Sequence, residues 1–398
     1  MKIHDIKVRK ILDSRGNATI EVELATSIFP LFRAQIPSGA STGSREAKVF
    51  NFSEAHAAVQ WIRAQMKGKS FSSLVALDEF LLRLDGSTNK NKIGGNVALG
   101  ISMAGAKALA YAKKIEVWEL LREEFFPEKF VPKTPFLFAN LINGGAHATG
   151  NLDIQEYMVV VKPQKGIEEA VESIVRFYRQ LGKRLGERFQ KLLLPIGDEG
   201  GYAAPFTANE EPLEILQKQI VEDRFENLGI AIDAAASYFW RGGEYEFGGQ
   251  ALDSAALQKT YLRFLQRIPS LFSIEDPFAE HDRESFQKFA TQAKNVWIVG
   301  DDLTTTRPDL IQQYADARCI NAVIIKPNQV GTITETCRAI KTARERNLKI
   351  IVSHRSGETD DHFIVHVAKA SNADGVKFGA PVNERAGKYN ELLRIYED

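Results

Sequence analysis

The sequence predicts a small α+β domain followed by an eight-stranded α/β barrel of parallel strands, on three observations. Strand-like alternation opens the chain, and helical spacing of apolar residues succeeds it up to about residue 125. From about residue 136 short apolar runs alternate with amphipathic helices to the end, the repeat of a parallel barrel. At 398 residues the chain is long enough for a barrel with a smaller partner domain.

Residues 1–24 alternate with period two, interrupted by the turn Asp13-Ser14-Arg15-Gly16-Asn17. Glu21 and Glu23 fall opposite Val22 and Leu24, as in a half-buried strand. Residues 53–67, 74–84 and 96–113 carry helical spacing rich in Ala and Leu. Phe126–Pro135, with three prolines, reads as a linker and divides the chain into domains 1–125 and 126–398. Beyond it the apolar runs are Tyr157–Val161, Gly229–Ile232, Leu271–Ile274, Val296–Val299, Ala322–Ile325, Lys349–Val352 and Asp374–Val376. Helices are expected at 164–190, 208–226, 253–267, 283–292 and 332–346. An open doubly wound sheet is the alternative, but no Gly-rich phosphate turn comes after an early strand.

Composition excludes several classes of function. Lys+Arg and Asp+Glu are both 51, so no broad basic field attracts nucleic acid or an anionic membrane. Affinity for anions must come from a few placed cations. Cys319 and Cys337 make neither a disulfide framework nor a zinc site. The opening residues lack a signal-peptide core, and no uncharged apolar run approaches the ~18 residues of a membrane span. A soluble cytoplasmic protein is expected.

Function is read from the residue that terminates each apolar run. Asp233, Glu275, Asp301, Lys326, His354 and Lys377 stand in turn at the C-terminal ends of six successive strands. In a closed parallel barrel those ends converge on one mouth, where active sites are built. One such residue is commonly a helix cap, but Lys and His cannot cap an N-terminus, so capping does not explain the row. Three converging carboxylates repel unless a cation lies between them, and an all-oxygen set favours Mg²⁺. A lysine near that metal and near a second lysine is expected to have a lowered pKa, as a general base requires.

Other segments add to the row. Gly197-Asp198-Glu199-Gly200-Gly201 puts a carboxylate in a Gly-flanked turn where backbone can approach a ligand. Ser353-His354-Arg355-Ser356-Gly357-Glu358 gathers groups able to grip a phosphate or carboxylate. Ser38-Gly39-Ala40-Ser41-Thr42-Gly43 and Asn143-Gly144-Gly145-Ala146-His147 suit mobile lids.

With these motifs in order, the chain resembles the enolases over nearly its whole length. The resemblance is carried by the turn Asp13 to Asn17, Pro37 to Gly43, Asn143 to Ala148 and Gln155-Glu156-Tyr157-Met158. It continues through Gly197 to Gly201, Ser273 to Glu280, Gly300 to Leu303, Lys326 to Gly331, Ser353 to Glu358 and Lys377 to Pro381. It implies a capping domain on an eight-stranded barrel whose first turn departs from plain β/α alternation. It also implies Mg²⁺-dependent dehydration of 2-phosphoglycerate, with two Mg²⁺ per active site, and a homodimer that can assemble further. Asp233, Glu275 and Asp301 would hold one Mg²⁺ and Ser41 would help complete the second site. Lys326 would be the general base and Glu199 the general acid, assisted by Glu156. Gln155, His147, His354, Arg355, Ser356 and Lys377 would bind the substrate, Lys377 at its carboxylate.

Departures from the family pattern are also visible. After Glu46 the chain passes through Ala47-Lys48-Val49-Phe50-Asn51 straight into a helix, so the capping domain is shortened. Ala18 stands where proline is usual, Phe378 where threonine is usual, and Thr149 where a small residue is usual. The shortened capping domain and Phe378 motivate one alternative, a paralogue acting on a phosphonate or another phosphorylated acid. The lid and grip segments argue against a racemase or cycloisomerase relative, and the retained ligands, base and acid argue against a non-catalytic binding scaffold.

Overall fold

In the computed structural model, which describes residues 1–39, 43–129, 131–147 and 152–397, the chain opens with three antiparallel strands. These are β1 (Ile3–Leu12), β2 (Ala18–Thr26) and β3 (Phe32–Ile36). The Asp13 carboxylate closes the first turn by accepting from the backbone N–H groups of Arg15 and Asn17 at 2.9 and 2.8 Å. Alternation places Ile20, Val22 and Leu24 in the core, yet Glu21 and Glu23 are buried too. Arg9 and Arg33 on the flanking strands reach Glu23 at 2.7 and 3.1 Å, so β2 is covered on both faces instead of half-buried.

Four helices come next: α1 (Phe52–Met66), α2 (Leu74–Asp85), α3 (Gly95–Lys113) and α4 (Val117–Phe125). Asn51 and Glu54 form a capping box at α1, which fixes where the shortened segment after Glu46 turns helical. Helix α3 is buried along most of its length and rests on the sheet. A Cβ at Gly100 would lie 2.3 Å from the Val22 side chain, so glycine permits that close approach.

The second part contains β4 (Phe136–Asn143), β5 (Glu156–Val161), α5 (Ile167–Phe189), α6 (Glu210–Glu222) and β6 (Leu228–Asp233). A small antiparallel meander, β7 (Trp240–Arg241), β8 (Glu244–Phe247) and β9 (Gln250–Leu252), precedes α7 (Ser254–Arg267). Then come β10 (Leu271–Glu275), α8 (Arg283–Gln292), β11 (Trp297–Gly300), α9 (Pro308–Asp316), β12 (Ala322–Ile325) and α10 (Pro327–Val330). The chain ends with α11 (Ile333–Glu345), β13 (Lys349–Ser353), α12 (Phe363–Ser371), β14 (Gly375–Lys377) and α13 (Ala386–Tyr396).

Eight strands close into a barrel in the order β4-β5-β6-β10-β11-β12-β13-β14, which excludes the open sheet. The barrel is not wholly parallel: β5 runs antiparallel to both β4 and β6. Among the described residues no crossover helix separates β4 from β5, so β5 returns along its neighbour, and α5 and α6 then come as a pair. Two expected helices with no apolar run between them, 164–190 and 208–226, were the sequence signal of this inversion. Strand β4, absent from the seven apolar runs, starts immediately after the linker.

Side chains of Phe138, Met158, Val160, Ala231, Val299, Ala322, Ile324 and Ile351 form one buried cluster of the barrel, against which Phe136, Phe272 and Trp297 pack. Phe136 stacks on Trp297 with ring centroids 5.7 Å apart. No helix among the described residues is long and apolar enough to cross a membrane.

Candidate active site

The strand register brings the predicted row together. Asp233, Glu275 and Lys377 are the last residues of β6, β10 and β14, while Asp301, Lys326 and His354 directly succeed β11, β12 and β13. Because β5 is inverted, its first residue lies at the same mouth: Glu156 pairs in register with Asp233. A small cavity is lined by Ser353 and by ten of the sequence candidates: His147, Gln155, Glu156, Glu199, Asp233, Lys326, His354, Arg355, Ser356 and Lys377. Glu275 and Asp301 border it through their contacts with the two lysines. Ser41 and the lid residues around it lie outside the described residues, as does Ala148 beyond the second lid segment.

Oxygens of Asp233, Glu275 and Asp301 lie within 4.8 Å of one another, close enough to share one cation. Lys377 Nζ sits among the carboxylates, 3.2 Å from Asp233, 2.9 Å from both oxygens of Glu275 and 3.0 Å from Glu156. Lys326 is paired with Asp301, whose other oxygen accepts from Gln329 Nε2 at 2.9 Å. The two lysines thus balance the carboxylates themselves, a role that the sequence reserves for a metal. The expected lowering of Lys326 is also reversed. Burial alone would pull its ammonium down, but the carboxylates around it, Asp301 foremost and Glu275 with it, raise it. Lys377 is raised in the same way, Glu156, Glu275 and Asp233 overcoming burial. The donor set still fits Mg²⁺: three hard oxygen ligands converge, and an ammonium already bridges two of them at hydrogen-bond distance.

A second group lies across the cavity. His147 Nδ1 is 3.8 Å from both Glu156 and Glu199, and Asn140 Nδ2 donates to Glu199 at 3.0 Å. Burial, reinforced by the charge of Glu199, pushes Glu156 well above the usual carboxylate range. Burial would also raise Glu199, but His354 and His147 more than reverse it and hold Glu199 well below that range. For His354 burial dominates and draws the imidazole down to about 4. Both shifts describe one contact of 3.3 Å between His354 Nε2 and Glu199: an imidazolium there favours the carboxylate, and burial opposes the imidazolium. Two neighbouring carboxyls are therefore driven apart, Glu156 towards the acid form and Glu199 towards the anion.

The grip loop is built jointly by the two halves of the chain. Arg355 donates to both oxygens of Glu46 at 3.0 and 3.2 Å and to Asn328 Oδ1 at 3.0 Å. Ser38 and Gly357 exchange backbone hydrogen bonds at 2.7 and 2.9 Å. Phe378 is buried against Tyr389, and its side chain is not part of the cavity lining.

Sequence reasoning missed Asp276, Gln329, Glu46 and Arg385. The Asp276 carboxylate accepts from the backbone N–H groups of Asp301 and Asp302 at 3.1 and 2.7 Å and so fixes the backbone that carries Asp301. The one available signal was adjacency: Asp276 is next to Glu275, and Gln329 lies three residues beyond Lys326.

Two family models match the chain. One, described as the N-terminal domain of enolase, covers residues 3–121, and the other, the C-terminal TIM barrel domain of enolase, covers residues 131–398. Enolase 1 of Lactococcus lactis subsp. cremoris is 38% identical, over the whole of this chain and 97% of the relative. The enolase of Thermococcus gammatolerans is 37% identical over the whole chain and 95% of the relative. That of Campylobacter jejuni is 38% identical over 99% of the chain and 96% of the relative.

Proposed function

This chain belongs to the enolase family and is a hydro-lyase, and from that premise we propose that it reversibly dehydrates 2-phosphoglycerate, with Lys326 as general base and Glu199 as general acid. The observation that supports the reading most is that a lysine and an acid pair line one buried cavity that also holds a phosphate grip. Lys326 would take the proton from C2. Burial, Arg355 and Lys377 oppose its ammonium form, and Asp301 favours it most, with Glu275 adding to it. Engagement of Asp301 by another cation would therefore release Lys326 as a base.

Lys377 would hold the substrate carboxylate, and Arg355, Ser356, His354 and His147 would hold or enclose the phosphate, with Gln155 contacting the substrate. Glu199, assisted by Glu156, would pass a proton to the departing 3-hydroxyl. The acid pair carries that proton mainly on Glu156 before substrate enters. Asp233, Glu275 and Asp301 would hold one Mg²⁺, and Ser41 would contribute to a second. Bound Mg²⁺ supplies positive charge where the substrate carboxylate gains electron density. The reading also carries over a homodimer in the cytoplasm, whose mass sedimentation of the purified protein would check, and the division into a capping domain, 1–125, and a barrel, 126–398.

The test is absorbance of the conjugated enol product when purified protein meets 2-phosphoglycerate with and without Mg²⁺. No product from folded, metal-supplied protein would overturn the reading. Lys326→Ala and Glu199→Gln are each expected to lower kcat by at least about 10²–10⁴-fold, the range for loss of a general acid or base. Mg²⁺ binding, followed by calorimetry, should persist in both. Near-normal turnover in either variant would remove that residue from its role.

A further inference from the structure

A buried guanidinium has no role so far in this chemistry. Arg385, in the turn before α13, is 0% exposed. Its Nη1 donates to the carbonyl of Arg355 at 3.1 Å, and its Nη2 donates to the carbonyls of Asp198 at 2.9 Å and Ser356 at 2.8 Å. Its Nε faces the Glu384 carboxylate at 3.2 Å. One rigid guanidinium therefore spans the turn that carries Glu199 and the loop that carries Arg355 and Ser356. A planar fork serves acceptors spread in this way, and a lysine ammonium, a compact point charge, cannot reach all three with the same geometry. Because the acceptors are backbone carbonyls, the contact fixes the paths of both segments and their separation.

The surroundings point the same way. The Ala380 N–H donates to the carbonyl of Glu199 at 2.9 Å. Gly379 has a φ of 77°, and a Cβ there would lie 2.8 Å from that carbonyl and 3.2 Å from Arg385 Nε. The stretch from Lys377 to Arg385 is thus seated directly against the Glu199 turn.

We infer that Arg385 is a positioning residue for the elimination half of the reaction. It sets the distance between the Glu199 turn and the phosphate-holding loop, so that an acid is aimed at the leaving hydroxyl of a substrate anchored by its phosphate. The inference rests on the function proposed above. In the first half a proton moves from C2 to Lys326, and the C–H electron pair stays with the substrate. In the second half the C3–O bond breaks, its electron pair leaves with oxygen, and a proton from Glu199 completes water. Arg385 contacts the groups of the second half and leaves Lys326 untouched.

The experiment measures both halves in Arg385→Lys at saturating 2-phosphoglycerate with Mg²⁺. Exchange of the C2 proton with D₂O is followed by NMR, and phosphoenolpyruvate formation by absorbance. Exchange should stay near the rate of the unaltered protein while dehydration falls about 10²-fold, the loss expected from an acid displaced by about 1 Å. Equal losses in both rates, or no loss in either, would overturn the inference. Absence of exchange and dehydration in the unaltered protein would instead overturn the proposed function. Should Arg385→Lys fail to fold, Glu384→Gln carries the comparison, because it removes the negative charge facing Nε and leaves the arginine in place. A ratio of the two rates unchanged in Glu384→Gln would then overturn the inference.

Discussion

Phe378 and Lys377 are neighbours in sequence with opposite surroundings. Lys377 reaches into the carboxylates, whereas Phe378 turns away to meet Tyr389 with ring centroids 6.4 Å apart. That opposition arises from strand geometry, in which successive side chains leave on opposite faces. Replacing Phe378 with threonine should therefore cost stability and spare chemistry. Removing a buried phenyl is expected to cost about 3 kcal/mol in urea unfolding, with kcat/KM for 2-phosphoglycerate changed only a few-fold. A large change in specificity would show that the residue shapes the cavity after all. The same pair shows how much was legible one residue at a time. Charged residues that end apolar runs stand out because burial beside a strand is costly unless it serves a purpose. Glu46 and Arg385 did not stand out, since their partners, Arg355 and three backbone carbonyls, lie far away in sequence and the pairing exists only in the folded chain.

The inverted strand β5 shows how an element changes a site. A parallel β5 would point the start of the strand, Glu156, at the opposite end of the barrel; inversion delivers it beside Asp233. The alternation of apolar runs and helices was legible because each element has its own period. Strand direction was not, since an apolar run reads alike in both directions. A second junction, α2 against α11, carries a testable charge. Asp78 of α2 is fully buried and accepts from the Thr334 N–H of α11 at 2.9 Å. Burial pushes its carboxyl to about 7, opposed by hydrogen bonds from Ser102 and Thr334 and reinforced by Glu335. The folded pKa thus exceeds the unfolded one, so the folded state binds the extra proton between about pH 4 and 7. Stability from this group is present below about pH 4 and is lost as pH rises through 7. About three pKa units correspond to about 4 kcal/mol. Asp78→Asn should remove that dependence while keeping the shape. Urea unfolding at pH 5 and pH 8 should show the unaltered protein losing more stability than the variant, and equal losses would mean that Asp78 does not titrate there.

The two halves of the molecule meet where the chemistry is proposed to occur. Glu46 neutralises Arg355 and Ser38 pairs with Gly357, so the first domain, though shortened after Glu46, still completes the wall proposed to grip the substrate. The three proposed ligands come from β6, β10 and β11, and they converge only when the barrel is closed. An unfolded chain scatters them, so Mg²⁺ that binds them binds the folded state and stabilises it by mass action. At a free concentration of about 100 times its Kd the gain is about 2.7 kcal/mol. Scaled by the unfolding entropy of a chain this long, that gain raises Tm by about 3 °C. Melting followed by circular dichroism in Mg²⁺ and in a chelator should show that difference. Asp301→Asn should abolish it, because an amide replaces one anionic ligand. The variant also removes the partner of Lys326, so its Tm in chelator should fall as well. The decisive quantity is therefore the Mg²⁺-dependent increment in each protein. An increment retained in Asp301→Asn would place the cation elsewhere, and none in the unaltered protein would leave the carboxylates to their lysines alone.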